Sequence, residues 1–265
     1  MVNWSIPVSA VFQLQIATLL VGKAQGHVPT WRVRKWLLQP HWPGRLLTIG
    51  ISNMKKFEVL TGVAAPFVHA NVDTDRIIRI ERCARVSRQD MGLWAFESER
   101  FEEDGSDKPE FILNHILFKQ SSILVASENF GCGSSREMAV WAIAGMGIRC
   151  VIAPSFGEIF FGNCFQNGVL PIRLPHEKIA EIQNQLLLGA KKNERSQVAI
   201  EVDLIHQHIK TPWNGSYPFE VDPLRRMSLL EGLDPIELTL KSLSFVETHE
   251  HKSKIENPWI WNLEC

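Results

Sequence analysis

Between residues 122 and 204, short apolar runs alternate with single helical stretches, and this alternation constrains the fold more than any other feature of the chain. Ser122-Ile123-Leu124-Val125-Ala126 reads as a buried strand and is followed by a glycine-rich turn. A helix is expected from about Ser135 to Met146, then a second strand over Arg149-Cys150-Val151-Ile152-Ala153. A short helix from Phe156 to about Phe165 closes near Gly168, and Val169 to Leu174 forms a third strand. Pro175 to Leu188 reads as an amphipathic helix, with proline in its first turn and Gly189 as a C-cap signal. Val198 to Leu204 alternates like a half-buried strand. Strands separated by single helices imply parallel pairing and an α/β architecture.

Around this body, Glu97–Pro109 reads as a polar surface loop, and helical runs are expected near Pro223–Glu231 and Pro235–Val246. Residues 54–249 are taken as the folded body and 250–265 as a polar, frayed tail. Residues 1–53 differ from the rest. They contain no Asp or Glu, four of the nine tryptophans, and the cations Lys23, Arg32, Arg34, Lys35 and Arg45. The segment is read as an extension in front of a true start at Met54, with a targeting segment or a genuine appendage as the other readings. Its weak basic flank and few serines fit neither a signal nor a transit peptide well.

Composition excludes several classes. With a formal net charge of −1 and no basic stripe, no nucleic-acid partner is expected. No apolar run approaches the ~20 residues that span a bilayer, so no membrane span is expected either. The cysteines Cys83, Cys132, Cys150, Cys164 and Cys265 are odd in number and irregularly spaced. They form neither a disulfide framework nor a metal-ligand set, and fit a reducing, cytoplasmic setting. No metal is expected on this chain.

The segment that carries chemistry is Glu128-Asn129-Phe130-Gly131-Cys132-Gly133-Ser134-Ser135-Arg136-Glu137, placed after a strand and opening a helix. Gly131 and Gly133 permit a positive φ and close approach of a ligand. The helix start offers unpaired N–H groups and a positive dipole end, and Arg136 adds a planar fork suited to a carboxylate. An ordinary helix N-cap, with Arg136 solvated, is the competing reading. A dinucleotide fold is disfavoured, because the third glycine position holds Arg136 and the second strand ends at Ala153-Pro154 without an acidic residue. A second polar cluster, Asn71-Val72-Asp73-Thr74-Asp75, reads either as an Asx turn or as a carboxylate that orients a catalytic hydroxyl or an arginine.

Taken together, the segments resemble one family. Asn71-Val72-Asp73-Thr74-Asp75 with Ile77-Ile78, Phe130 to Glu137, Ile152-Ala153-Pro154-Ser155-Phe156, Asn163-Cys164-Phe165-Gln166-Asn167-Gly168, Leu170-Pro171 and Phe219-Glu220-Val221-Asp222-Pro223 occur in that order. This is similar to the small subunit of isopropylmalate dehydratase, across roughly Met54 to Leu240. The resemblance implies a swivelling β/β/α domain like the C-terminal domain of aconitase. It implies a large subunit as partner, with the 4Fe-4S cluster on that partner and none on this chain. The implied reaction exchanges 2- and 3-isopropylmalate through isopropylmaleate, by dehydration and rehydration of a small hydroxy-diacid, in leucine biosynthesis.

By the family pattern, Ser134 is the base and Asp75 lies beside it. Ser135, Arg136 and Gly133 would hold a substrate carboxylate, and Arg88 matches a recurrent basic position. The isopropyl pocket would fall between Ile80 and Phe101. Family members usually carry proline where this chain has Arg79, Glu-His-Ala-Pro-Trp where it has Glu137-Met138-Ala139-Val140-Trp141, and an aromatic residue where it has Glu99. A subunit of a hydro-lyase for another substituted malate, or a non-catalytic anion-binding relative, are the alternatives these departures leave.

Overall fold

The protein is described here from a computed structural model, which covers residues 54–261. The expectations for residues 1–53 and for the last four residues lie outside the described part. The chain divides into two compact units, one running Met54–Gly232 and the other including the described residues from Leu233 onward.

The first unit is built on a seven-stranded sheet. In chain order its elements are β1 (Val59–Phe67), α1 (Thr74–Ile77), α2 (Ile80–Cys83), α3 (Glu97–Arg100), β2 (Ile123–Ala126) and α4 (Glu137–Gly145). There follow β3 (Cys150–Ala153), α5 (Glu158–Gln166), β4 (Leu170–Arg173), α6 (His176–Lys191), β5 (Ala199–Asp203), β6 (His208–Lys210), β7 (Ser216–Pro218) and α7 (Pro223–Glu231). The strand order is β4-β3-β2-β1-β5-β6-β7. β1 to β4 pair in parallel, with Ala64 opposite Ile123, Leu124 opposite Val151 and Val151 opposite Pro171. β2 and β3 are buried at every residue, as expected of parallel strands covered on both faces.

The other half of the sheet departs from the parallel expectation. β5 follows a helix, yet it pairs antiparallel with β1, Val59 opposite Asp203 and Val63 opposite Ala199. β1 serves two neighbours: its first five residues pair with β5, and its last four with β2. Its burial changes accordingly, from partly exposed at Val59 to fully buried from Val63. β6 and β7 extend the antiparallel half. β1, β6 and β7 are strands that the alternating pattern does not reveal.

Several boundaries differ from the sequence expectation, each for a local reason. α4 starts at Glu137, two residues later than expected, because Arg136 keeps an extended backbone (φ −126°, ψ 102°). α6 runs through Gly189 to Lys191. Gly189 is there for space: a Cβ would sit 3.0 Å from Gln197 Cβ and 3.1 Å from Val198 Cγ1. The stretch expected as a loop after Phe96 opens with α3, and Phe101 bridges back to Asp107. α6 presents Ile179, Ile182, Leu186 and Gly189 to the core. Gln183 on the same face donates to the carbonyls of Val125 (3.0 Å) and Phe67 (3.4 Å), satisfying buried strand ends.

In the second unit, Asp234 caps α8 (Pro235–Leu240) through a capping box with Glu237. The single run expected over Pro235–Val246 is interrupted at Lys241-Ser242. α9 (Leu243–Glu256) then continues past His249, so that stretch is helical where a frayed end was expected, and α10 (Pro258–Trp261) follows. Among the described residues no helix is long and apolar enough to cross a membrane.

Candidate active site at the carboxyl ends of the parallel strands

β1, β2 and β3 are parallel, so their carboxyl ends share one edge of the sheet, where open α/β sheets bind ligands. The chain leaving each strand joins the next. Asn71 N–H donates to the Glu128 carbonyl (3.0 Å), Gly131 N–H to Val72 (2.7 Å) and Thr74 N–H to Cys132 (3.0 Å). Phe130 N–H donates to Ser155 (3.1 Å) and Gly157 N–H returns to Phe130 (3.0 Å). Three motifs distant in sequence thus form one surface.

Each motif is built by its own residues. Asp73 is the N-cap of α1, its carboxylate accepting from Arg76 N–H at 2.8 Å. The Asx-type cap uses Asp73 and leaves Asp75 exposed in the first turn of α1. Thr74 is buried between them and donates its hydroxyl to the Ser134 carbonyl at 3.1 Å. Gly131 and Gly133 have φ of +71° and +87°, the left-handed region that a side chain disfavours.

Ser134 and Ser135 are exposed at the crest of this turn, and Arg136 follows with its side chain 14% exposed. Arg136 Nη1 donates to Asp75 Oδ1 in an ion pair across the motifs. That hydrogen bond is the main cause holding the Arg136 guanidinium above its ordinary pKa, against the opposing effect of burial. Arg136 is the N-cap of α4 without a side-chain cap of its own, so the helix start is left open toward the serines. The serines do not provide the cap that sequence alone offered as the competing reading. Ser134, Ser135, Gly133, Arg136 and Asp75 therefore come together.

Arg88 is held at the flank of α4. Its Nη2 donates to Asn167 Oδ1 at 2.7 Å and its guanidinium lies over the Trp141 ring, 4.9 Å from the centroid. Glu137, in the first turn of α4, accepts from Asn167 Nδ2 at 2.9 Å. Thr74 and Asn167 are organising residues that sequence reasoning did not single out. Both lay inside quoted motifs, but only their long-range hydrogen bonds reveal them.

The segment expected to hold an apolar substrate group is tied down by two arginine–glutamate forks. Arg76 grips Glu99 through Nε (2.7 Å) and Nη2 (3.0 Å). Arg82 grips Glu97 through Nε (2.9 Å) and Nη2, while stacking on Trp94 at 3.4 Å.

The four described cysteines are not grouped as metal ligands. Cys150 and Cys164 are fully buried, and burial pushes both thiols well up from their ordinary pKa. Burial also raises Cys83, partly offset by the charge of Arg136. Among the described residues no group of three or more His, Cys, Asp or Glu is placed to hold a metal ion.

Residues 54–177 match the family described as the aconitase C-terminal domain. The fold and the site at its sheet edge thus define the class: an aconitase-type C-terminal domain. Among curated proteins, the 3-isopropylmalate dehydratase small subunit of Paramagnetospirillum magneticum is 48% identical over 207 residues, covering 78% of this chain and all of that protein. That of Gluconacetobacter diazotrophicus is 47% identical, covering 78% of this chain and 97% of its own. Among solved structures, the 3-isopropylmalate dehydratase of Methanocaldococcus jannaschii aligns with a TM-score of 0.51 at 28% identity, covering 72% of this chain and 99% of that one. The chain belongs to the family of 3-isopropylmalate dehydratase small subunits.

Proposed function

We propose that this chain is the small subunit of a two-subunit 3-isopropylmalate dehydratase, a hydro-lyase of leucine biosynthesis that acts in the cytoplasm with a large-subunit partner. The observation that carries the reading is the open constellation of Ser134, Arg136 and Asp75 beyond β1 and β2, in a chain that covers its small-subunit relatives end to end.

The chemistry required of this chain is to bind a hydroxy-diacid and move a carbon-bound proton. Arg136 binds one carboxylate: Asp75 occupies Nη1, leaving Nη2 and Nε of the fork for the ligand. Ser135 and the Gly133 backbone complete the anion cradle at the helix start. Ser134, as its alkoxide, takes the proton from carbon and is left as the neutral hydroxyl.

A serine hydroxyl is a weak base, and a helix terminus at an exposed site contributes about 0.3–1 kcal/mol. That is less than the ~1.36 kcal/mol equivalent to one pKa unit. Exclusion of water by a docked partner must supply more, since the same dipoles and charges act more strongly in a low-dielectric site. The exposure of Ser134 and Ser135 in the isolated chain fits that requirement. The 4Fe-4S cluster belongs, in this reading, to the large subunit and supplies Lewis-acid chemistry to the leaving hydroxyl.

The test is co-expression with a large subunit and absorbance detection of the unsaturated intermediate. Ser134→Ala should leave assembly intact and lower kcat by about 100-fold or more. A variant with near-normal turnover would remove the base from Ser134.

A further inference from the structure

Asn167 ends α5 as its C-cap, in the turn that leads to β4, and its carboxamide reaches two other parts of the fold as well as its own helix. Oδ1 accepts from Arg88 Nη2 at 2.7 Å and from Trp141 Nε1 at 2.9 Å. Nδ2 donates to Glu137 Oε1 and to the Asn163 carbonyl, each at 2.9 Å. Both acceptor positions and both amide hydrogens are in use, so the orientation of the amide is dictated by its partners. A flipped amide would set donors against Arg88 and Trp141.

This arrangement is more than a brace between two helices. Glu137 and Trp141 are one turn apart on the same face of α4, and either contact would anchor Asn167 to that helix. The remaining acceptor position is given to Arg88, an exposed residue of a different loop, whose guanidinium also lies 4.9 Å from the Trp141 ring centroid. A surface arginine ordinarily keeps wide rotamer freedom. Here an amide oxygen and an indole face remove that freedom. The residue so held is tied, through Asn167 and Glu137, to the helix end that bears Arg136.

A diacid has two carboxylates, and Arg136 accounts for one. We propose that Asn167 is a positioning residue, which with Trp141 holds Arg88 as a second cationic arm for the other carboxylate. The inference rests on the reading of the site given above.

The experiment measures KM and kcat for 3-isopropylmalate in the reconstituted two-subunit complex, with thermal stability in parallel. Arg88→Ala and Asn167→Ala should each raise KM about tenfold with kcat changed less than about twofold, as expected for lost ground-state binding. The double variant should be no worse than Arg88→Ala alone, because both act through one guanidinium. Asn167→Asp keeps the acceptors for Arg88 and Trp141 but replaces the donor to Glu137 with a like charge. Its charge on Arg88 competes with the substrate carboxylate, so it should raise KM severalfold while melting at a lower temperature; an unchanged KM there overturns the positioning role should Asn167→Ala not assemble.

A raised KM for Arg88→Ala with an unchanged KM for Asn167→Ala overturns the positioning role and leaves the site reading standing. Multiplying effects in the double variant also overturn it. An unchanged KM for Arg88→Ala removes the second arm and the inference with it, whereas loss of turnover in Ser134→Ala would still test the site separately.

Discussion

Gly131 and Gly133 lie two residues apart in the same turn, yet replacing them with alanine should have different consequences. Both have positive φ, and a left-handed backbone costs a side chain-bearing residue about 1–2 kcal/mol. At Gly131 a second cost is added, because a Cβ would lie 2.2 Å from Phe160 Cγ and 2.5 and 2.7 Å from its Cδ atoms. Phe160 cannot move aside readily: it is buried and packs edge-on against Phe130, with ring centroids 5.5 Å apart. Overpacking of this kind costs about 1–3 kcal/mol. Gly131→Ala should therefore lose about 2–5 kcal/mol, a large part of a typical domain stability of about 5–15 kcal/mol.

At Gly133 the nearest atoms to an added Cβ are Asp73 Cβ at 3.5 Å and Thr74 Oγ1 at 3.9 Å, which is ordinary contact. Only the backbone cost of about 1–2 kcal/mol remains there. Urea denaturation followed by tryptophan fluorescence separates the two. With a slope of about 1–3 kcal/mol/M, the Gly131→Ala midpoint should fall about 1 M further than that of Gly133→Ala. Replacing Phe160 by leucine in the Gly131→Ala background should recover part of the loss. Equal midpoints for the two glycine variants, or no recovery, would refute the claim that the Phe160 ring limits position 131.

Two further outcomes are expected. Arg136→Lys should raise KM for the diacid about 10-fold or more with a smaller change in kcat, since a point charge cannot serve Asp75 and a carboxylate in one plane; unchanged steady-state constants in the reconstituted complex would remove the carboxylate role. The hydrogen bond from Arg82 holds the Glu97 carboxyl below its ordinary pKa, so its stabilisation is fully present above about pH 4.3 and is lost as pH falls through the lower folded value. Glu97→Gln should accordingly cost about 1 kcal/mol at pH 7, and the difference from wild type should shrink toward zero as pH falls through the lowered folded value; a difference that does not vary with pH would exclude the ion pair as its source.

What the sequence revealed was what is decided locally. β2, β3 and β4 are continuous apolar runs closed by turn residues, and α7 begins at an Asp-Pro whose carboxylate caps it, so these elements fall where pattern and capping chemistry put them. What stayed hidden depends on distant partners. The direction of β5 is decided by the free edge of β1, which no local period reports. The late start of α4 follows from Val72 and Thr74, whose hydrogen bonds to Gly131 and Cys132 hold the preceding turn away from helical geometry. At the site, the glycines, serines and Arg136 could be read as an anion cradle from their types and order. The link from Arg136 to Asp75 crosses between motifs, and the family resemblance had placed Asp75 beside Ser134 and not on the arginine.

The departures from the family pattern bear on whether the constellation still has its proposed task, and the structure places them away from its contacts. Arg79, at a position where proline is usual, keeps φ at −68°, within the range a proline ring would impose, and its side chain pairs with Glu81 at the surface. Val140 is buried in the core face of α4, where it restores a backbone N–H that a proline lacks. Glu99, at a position where an aromatic residue is usual, receives the fork of Arg76. An isolated carboxylate there would weaken the proposed anion site by repulsion. Paired with two hydrogen bonds, it is neutralised within its own segment and does not compete for Arg136. Met138 is the one change on the site helix that exchanges a polar side chain for an apolar one, and it packs against the core. The substitutions thus alter the support around the turn while Arg136 stays paired with Asp75 and Ser134 stays exposed, which the proposed diacid chemistry requires.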